Sequence, residues 1–132
     1  DVLQNTFLKV FENINNFKGN SSIYTWMFRI ATNESLNYIN KKAKKLGVSN
    51  EEWIIKKSDE LKSDPYFEGG EIELKLQKAI SRLPEKQRIV FNMRYFEEMK
   101  YKKISEILRK SEGGLKASYH HAVKKIKTFL NE

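Results

Sequence analysis

Residues 99–127 read MKYKKISEILRKSEGGLKASYHHAVKKIK, and the apolar spacing in this stretch decides the fold. Ile104, Ile107 and Leu108 recur at helical intervals until Lys110-Ser111-Glu112-Gly113-Gly114 interrupts the run. Leu115, Tyr119, Ala122, Val123, Ile126, Phe129 and Leu130 then trace a second amphipathic helix. Two short helices joined by a tight turn, here read at Gly113-Gly114, form a helix-turn-helix pattern. The second helix of such a pair can enter a DNA major groove. Its outward positions are Lys116, Ser118, His120, His121, Lys124 and Lys125, which offer cations to phosphates and donors to base edges. Taken alone, the stretch also suits a helical hairpin whose charged face is only solvated.

Upstream, Leu74, Leu76, Ala79, Ile80 and Leu83 mark a helix from Ile72 that stops at Pro84. Pro84 suits the first turn of the next helix, where Ile89, Val90, Met93 and Tyr95-Phe96 are apolar. The spacing therefore predicts a four-helix module over residues 71–132. Residues 47–70 contain Asp64-Pro65 and Gly69-Gly70 and read as a mostly irregular linker with room for one short helix. Ser49-Asn50-Glu51-Glu52 resembles a helix start, and Trp53-Ile54-Ile55 has the character of a docking segment.

The N-terminal part predicts two helices. Leu3, Phe7, Val10, Phe11 and Ile14 share a helical face, and Phe7, Val10 and Phe11 are expected to form core. Asn15 to Ser22 forms a loop in which Gly19 tolerates positive φ and a serine can cap the next helix. That helix carries Ile23, Trp26, Met27, Ile30, Ala31, Leu36, Tyr38 and Ile39, and ends in Lys41-Lys42-Ala43-Lys44-Lys45 before Gly47. Trp26 is expected in the core. Lysines suit a helix C-terminus, and four in five positions also suit phosphate contacts.

Charge separates these parts. Residues 1–46 carry seven basic and three acidic side chains, residues 47–73 three and eight, and residues 74–132 fifteen and six. Two basic modules thus flank an acidic connector, within an overall charge of +8 that favours a polyanionic partner. The 132 residues suit one domain or two small ones, and the expected class is all-α. Zero cysteines exclude disulfides and thiolate chemistry. No apolar run reaches the roughly 20 residues of a membrane span, and no signal peptide opens the chain. The chain starts at Asp1 inside an amphipathic pattern, which predicts a piece trimmed at its start.

Two blocks carry a family resemblance. The first is D-x-x-Q-x-x-F over Asp1 to Phe7, then Phe17-Lys18-Gly19, then T-W-x-x-x-I-A-x-N over Thr25 to Asn33. The second is L-P-x-x-x-R-x-V-F over Leu83 to Phe91, followed by the helix-turn-helix. In this order and spacing the chain resembles the extracytoplasmic-function group of bacterial sigma factors, of the sigma-70 family. The first block looks like region 2, without its earliest part, and the second like region 4.

The resemblance implies a promoter-specificity subunit of RNA polymerase, cytoplasmic and not itself an enzyme, with residues 1–46 as partial region 2, 47–70 as acidic linker and 71–132 as region 4. Asp1, Gln4, Asn5 and Leu8 would meet the clamp helices of the polymerase's largest subunit. Lys9, Asn13, Phe17, Lys18, Gly19, Asn20, Arg29 and Asn33 would melt and capture the minus-ten element, where an extruded base needs stacking and edge hydrogen bonds. Lys102, Lys103, Lys116, Ala117, Ser118, His120, His121 and Lys124 would read the minus-thirty-five element. The residues from Leu83 to Tyr95 would also meet the polymerase flap. The implied partners are core polymerase, promoter DNA and an anti-sigma factor, with no cofactor and no metal. Arginine is usual in the family at the positions of Ser118 and His121, so base preference departs from the family's pattern, toward A·T-rich sites. The acidic linker would thread toward the polymerase channels or serve as a solvated spacer.

Two rival readings stay open. A free-standing helix-turn-helix regulator explains residues 74–132 but leaves the first 46 and the acidic connector idle. An interaction domain with no DNA role would use its basic charge for solubility alone. Enzyme chemistry is disfavoured, because the only histidines, His120 and His121, are adjacent and point about 100° apart on a helix.

Overall fold

The computed structural model describes residues 2–132, and every regular element in them is helical. The helices are α1 (Val2–Asn13), α2 (Ile23–Leu46), α3 (Asn50–Glu60), α4 (Glu71–Ser81), α5 (Glu85–Tyr95), α6 (Tyr101–Leu108) and α7 (Glu112–Leu130). Short 3-10 turns follow α1 and α3. The expected all-α class therefore holds.

Local chemistry sets most boundaries. Ser22 caps α2, its Oγ accepting from the Thr25 amide at 3.1 Å. The same helix stops at Gly47, whose φ of 68° lets its amide turn back to Lys44 while Val48 reaches Ala43. Ser49 and Ser111 cap α3 and α7 in the manner of Ser22. At α4 the cap has no side chain, and the Glu73 carboxylate instead accepts from the Gly70 amide at 3.0 Å.

The C-terminal four helices enclose two apolar clusters. Ala79, Ile80, Leu83, Phe91, Ala122 and Ile126 join α4, α5 and α7. Val90, Met93, Met99, Ile104, Ile107 and Leu115 bring in α6. Tyr119 connects them, stacking on Phe91 at 5.8 Å and meeting Tyr101 edge-on at 6.4 Å. Each large aliphatic side chain buried this way contributes roughly 1.5–3 kcal/mol, enough to fix the orientation of α7.

Three sequence expectations are corrected. Residues 47–70 are not mostly irregular, since α3 and its 3-10 extension occupy most of the connector. Acidic Glu51 and Glu52 at its start and Lys57 at its end suit the helix dipole, and Trp53 anchors it, buried edge-on to Tyr38 at 6.0 Å. Next, Gly113 and Gly114 are not the turn. They lie in the first turn of α7, because the Ser111 hydroxyl caps it by accepting from the Gly114 amide, and the reversal is made by Arg109 at φ 56°. Finally, Phe7 and Phe11 are not core, being 47% and 74% exposed. Thr6 and Val10 face α2 instead, and adjacent residues on a helix point about 100° apart.

Candidate nucleic-acid and polymerase interface

The recognition face of α7 is built by its own buried face. Leu115, Ala122 and Ile126 are buried, with Tyr119 and Val123 half-buried beside them. This leaves Lys116, Ala117, His120, His121 and Lys124 exposed. Ser118 is half-buried and lines a groove with Lys86, Leu108 and Lys110. Lys116 stands 5.7 Å from the Tyr101 ring centroid, and Arg94 stands 4.8 Å from the same centroid, so one aromatic ring holds two cations near it. His121, Lys124 and Lys125 border a cleft with Arg82 and Phe129. Lys102 is exposed on α6, whereas Lys103 turns toward α2.

The residues expected at the minus-ten element fall into separate groups. Lys18, Gly19 and Asn20 lie on an exposed loop, where Gly19 has φ 73°. Phe17 packs its ring against Trp26 with centroids 5.3 Å apart, so both are half-buried rather than core. Asn13 donates to the Lys9 carbonyl at 2.8 Å and ends α1. Lys9 pairs with Glu34 at 2.8 Å across the α1–α2 contact, and this hydrogen bond raises its pKa above the ordinary value. Lys9 and Glu34 line a polar cleft with Asn33, Asn37 and Asn40. Arg29, by contrast, donates to the Glu106 carbonyl on α6.

On α1 the residues expected to meet polymerase, Gln4, Asn5 and Leu8, are exposed, and Asp1 lies outside the described residues. Beside them Leu3, Phe7 and Phe11 form an apolar stripe open to solvent. Their spacing of four was visible in the sequence, but which of two apolar faces α2 would cover was not. Sequence reasoning also missed Glu34, which the structure buries, and the available signal was that it is the lone acid in a basic helix. Burial pushes the Arg88 guanidinium below its usual range, opposed by Glu85 and by Glu51 of α3. Among the described residues no helix is long and apolar enough to cross a membrane, and no group of three or more His, Cys, Asp or Glu is placed to hold a metal.

Two family descriptions match this arrangement. Residues 1–45 match Sigma-70 region 2, and residues 73–126 match Sigma-70, region 4. The chain is similar to RNA polymerase sigma-H factor of Pseudomonas aeruginosa, 28% identical over 130 residues, covering 92% of this chain and 67% of that protein. It is similar to ECF RNA polymerase sigma factor SigW of Bacillus subtilis, 29% identical, covering 100% of this chain and 75% of that protein. Of ECF RNA polymerase sigma-E factor from Haemophilus influenzae, 27% identical, the chain spans only 61% of the length. The fold is similar to that of the sigma factor RpoE solved with the anti-sigma factor NepR from Bartonella quintana. That match has a TM-score of 0.71 and 19% identity, and covers 99% of this chain and 79% of the other.

Proposed function

The chain belongs to the extracytoplasmic-function group of the sigma-70 family, and from that premise we propose that it is a promoter-specificity subunit of bacterial RNA polymerase. One observation carries the reading. Region 2 and region 4 occur in that order on one chain, and the helix that follows the region 4 turn presents Lys116, His120, His121 and Lys124 outward.

In this reading α7 lies in the major groove of the minus-thirty-five element. Lys116, Ala117, Ser118, His120 and His121 face base edges, while Lys102, Lys103 and Lys124 hold phosphates. The exposed loop Lys18-Gly19-Asn20, with Phe17, Lys9, Asn13, Arg29 and Asn33, takes the minus-ten bases once they leave the stack. Gln4, Asn5 and Leu8 meet the clamp helices, together with the apolar stripe Leu3, Phe7 and Phe11. The chain itself performs no chemistry, since bond formation belongs to the polymerase. An anti-sigma factor is the expected antagonist.

Fluorescence anisotropy against bacterial core RNA polymerase and against duplex promoter DNA tests this in parallel. Tight binding to core with weak affinity for bare duplex is the expected result. Tight duplex binding with none to core would replace the reading with that of a free-standing regulator.

A further inference from the structure

We propose that Tyr101 is a positioning residue for base reading: its ring holds the Lys116 ammonium in the orientation that selects a guanine in the upstream promoter element. The proposal rests on the sigma-factor reading above and deepens it by naming what makes one contact of α7 selective.

The ring is fixed from three helices. Tyr101 opens α6 and is half-buried against the cluster that holds Met93, Met99, Ile104 and Leu115. Tyr119 of α7 meets it edge-on at 6.4 Å. Arg94 of α5 stands 4.8 Å from the ring centroid and donates from Nη1 to the Met99 carbonyl at 2.9 Å, which ties the ring to the segment between α5 and α6. Against this fixed ring lies the Lys116 Nζ, 5.7 Å from the centroid. Among the described residues no other lysine of α7 stands over an aromatic ring.

Lys116 sits where such a hold matters most. It follows the Ser111 cap by five residues, in the second turn of α7, and recognition helices meet base edges through their N-terminal residues. Its neighbour Ala117 has no side-chain donor, and Ser118 is half-buried. A lysine stem is flexible, and an ammonium free to swing finds phosphate oxygens, which carry no sequence information. Attraction to the face of a fixed ring restricts that swing. The ammonium is then kept for the O6 and N7 acceptors that guanine presents together in the major groove. In this role the ring touches no base and acts only through Lys116.

The test separates the electronics of the ring from its shape. The full chain is prepared with Tyr101→Phe and, by amber suppression, with 3,4,5-trifluorophenylalanine at position 101. Each is made with Lys116 and with Lys116→Ala. Fluorination keeps the packing of the ring and removes most of its attraction for a cation. Holoenzyme made with bacterial core RNA polymerase is measured on upstream elements selected from a randomised duplex library, and on the same elements with each guanine changed to adenine. Tyr101→Phe should keep the affinity of the native chain. The fluorinated ring should bind the selected element about two- to fivefold more weakly and lose the same factor of discrimination at one guanine. With Lys116→Ala the two rings should be equal. Equal affinity of the two rings with Lys116 present overturns the proposal. So does a difference that persists with Lys116→Ala, or one that falls evenly on all sequences, because a ring with a structural role alone would give either. If the native chain does not bind core, the sigma-factor reading fails, and the chain alone is then put through the same selection on duplex DNA, where the same ratio decides. Absence of DNA binding in both formats overturns the proposal as well.

Discussion

Lys9 on α1 and Glu34 on α2 form an ion pair at 2.8 Å whose members sit on opposite sides of the solvent boundary, with side chains 52% and 10% exposed. The asymmetry fixes what each partner does. Glu34 needs its cation because its carboxylate is nearly out of water, whereas Lys9 is solvated with or without it. Lys9→Met should therefore lower the urea midpoint more than Glu34→Gln. The reverse order would show that the carboxylate is not the dependent partner. The pair also gives a pH signature. The Glu34 hydrogen bond raises the Lys9 pKa above its ordinary 10.5, so its stabilisation is complete below that value and is lost as pH rises through the folded-state value. Lys9→Arg should flatten the fall in midpoint measured above pH 10.5.

Ser58 on α3 carries a buried hydroxyl with no hydrogen-bond partner. Replacing it with Ala removes a desolvated polar group and adds helix propensity. Ser58→Ala should stabilise the chain by about 0.5–1.5 kcal/mol, read as a higher Tm. A lower Tm would mean that the hydroxyl is satisfied in solution.

Arg109 makes the reversal between α6 and α7 at φ 56°. A non-glycine residue pays about 1–2 kcal/mol there, partly recovered by its smaller entropy loss on folding. Arg109→Gly should thus gain about 0.5–1 kcal/mol in urea denaturation. The variant should leave promoter affinity within about twofold, since the reversal is made by the backbone.

Lys124 and Ser118 separate affinity from specificity. Lys124→Ala should reduce the slope of log K against log salt by about 0.9, one phosphate contact, and weaken binding evenly across sequences. Ser118→Arg should instead add preference for a guanine, worth about 1–3 kcal/mol against the wrong base. Binding of holoenzyme to a panel of upstream elements checks both. A uniform effect of the Ser118 change would remove it from the base-reading set.

Which parts of this molecule were legible in its sequence follows from where the information lies. The four C-terminal helices were legible because Ile104, Ile107, Leu115, Ala122 and Ile126 each bury one unambiguous apolar stripe. The loop at Gly19 and the helix stop at Gly47 were legible because they depend on single residues, while the cap of α2 was legible only as Ser21 or Ser22, of which the structure uses Ser22. α1 was not, since Leu3, Phe7 and Phe11 and the Thr6–Val10 face compete for one neighbour, and only packing decides between them. The helical state of the connector was hidden as well. Its acidic composition resembles a linker, and Trp53 gains its meaning only once Tyr38 is beside it. Arg29 was read for its charge, but its acceptors are backbone carbonyls 77 and 78 residues away, which no local pattern encodes.

The wound state of α3 fixes a length. Its 11 residues span roughly 16 Å as a helix at about 1.5 Å per residue. Drawn out at about 3.3–3.6 Å per residue, the same segment covers roughly 36–40 Å. Trp53 against Tyr38 thereby holds about 20 Å of chain in reserve. The reach between the two basic modules is set by whether one buried indole stays seated.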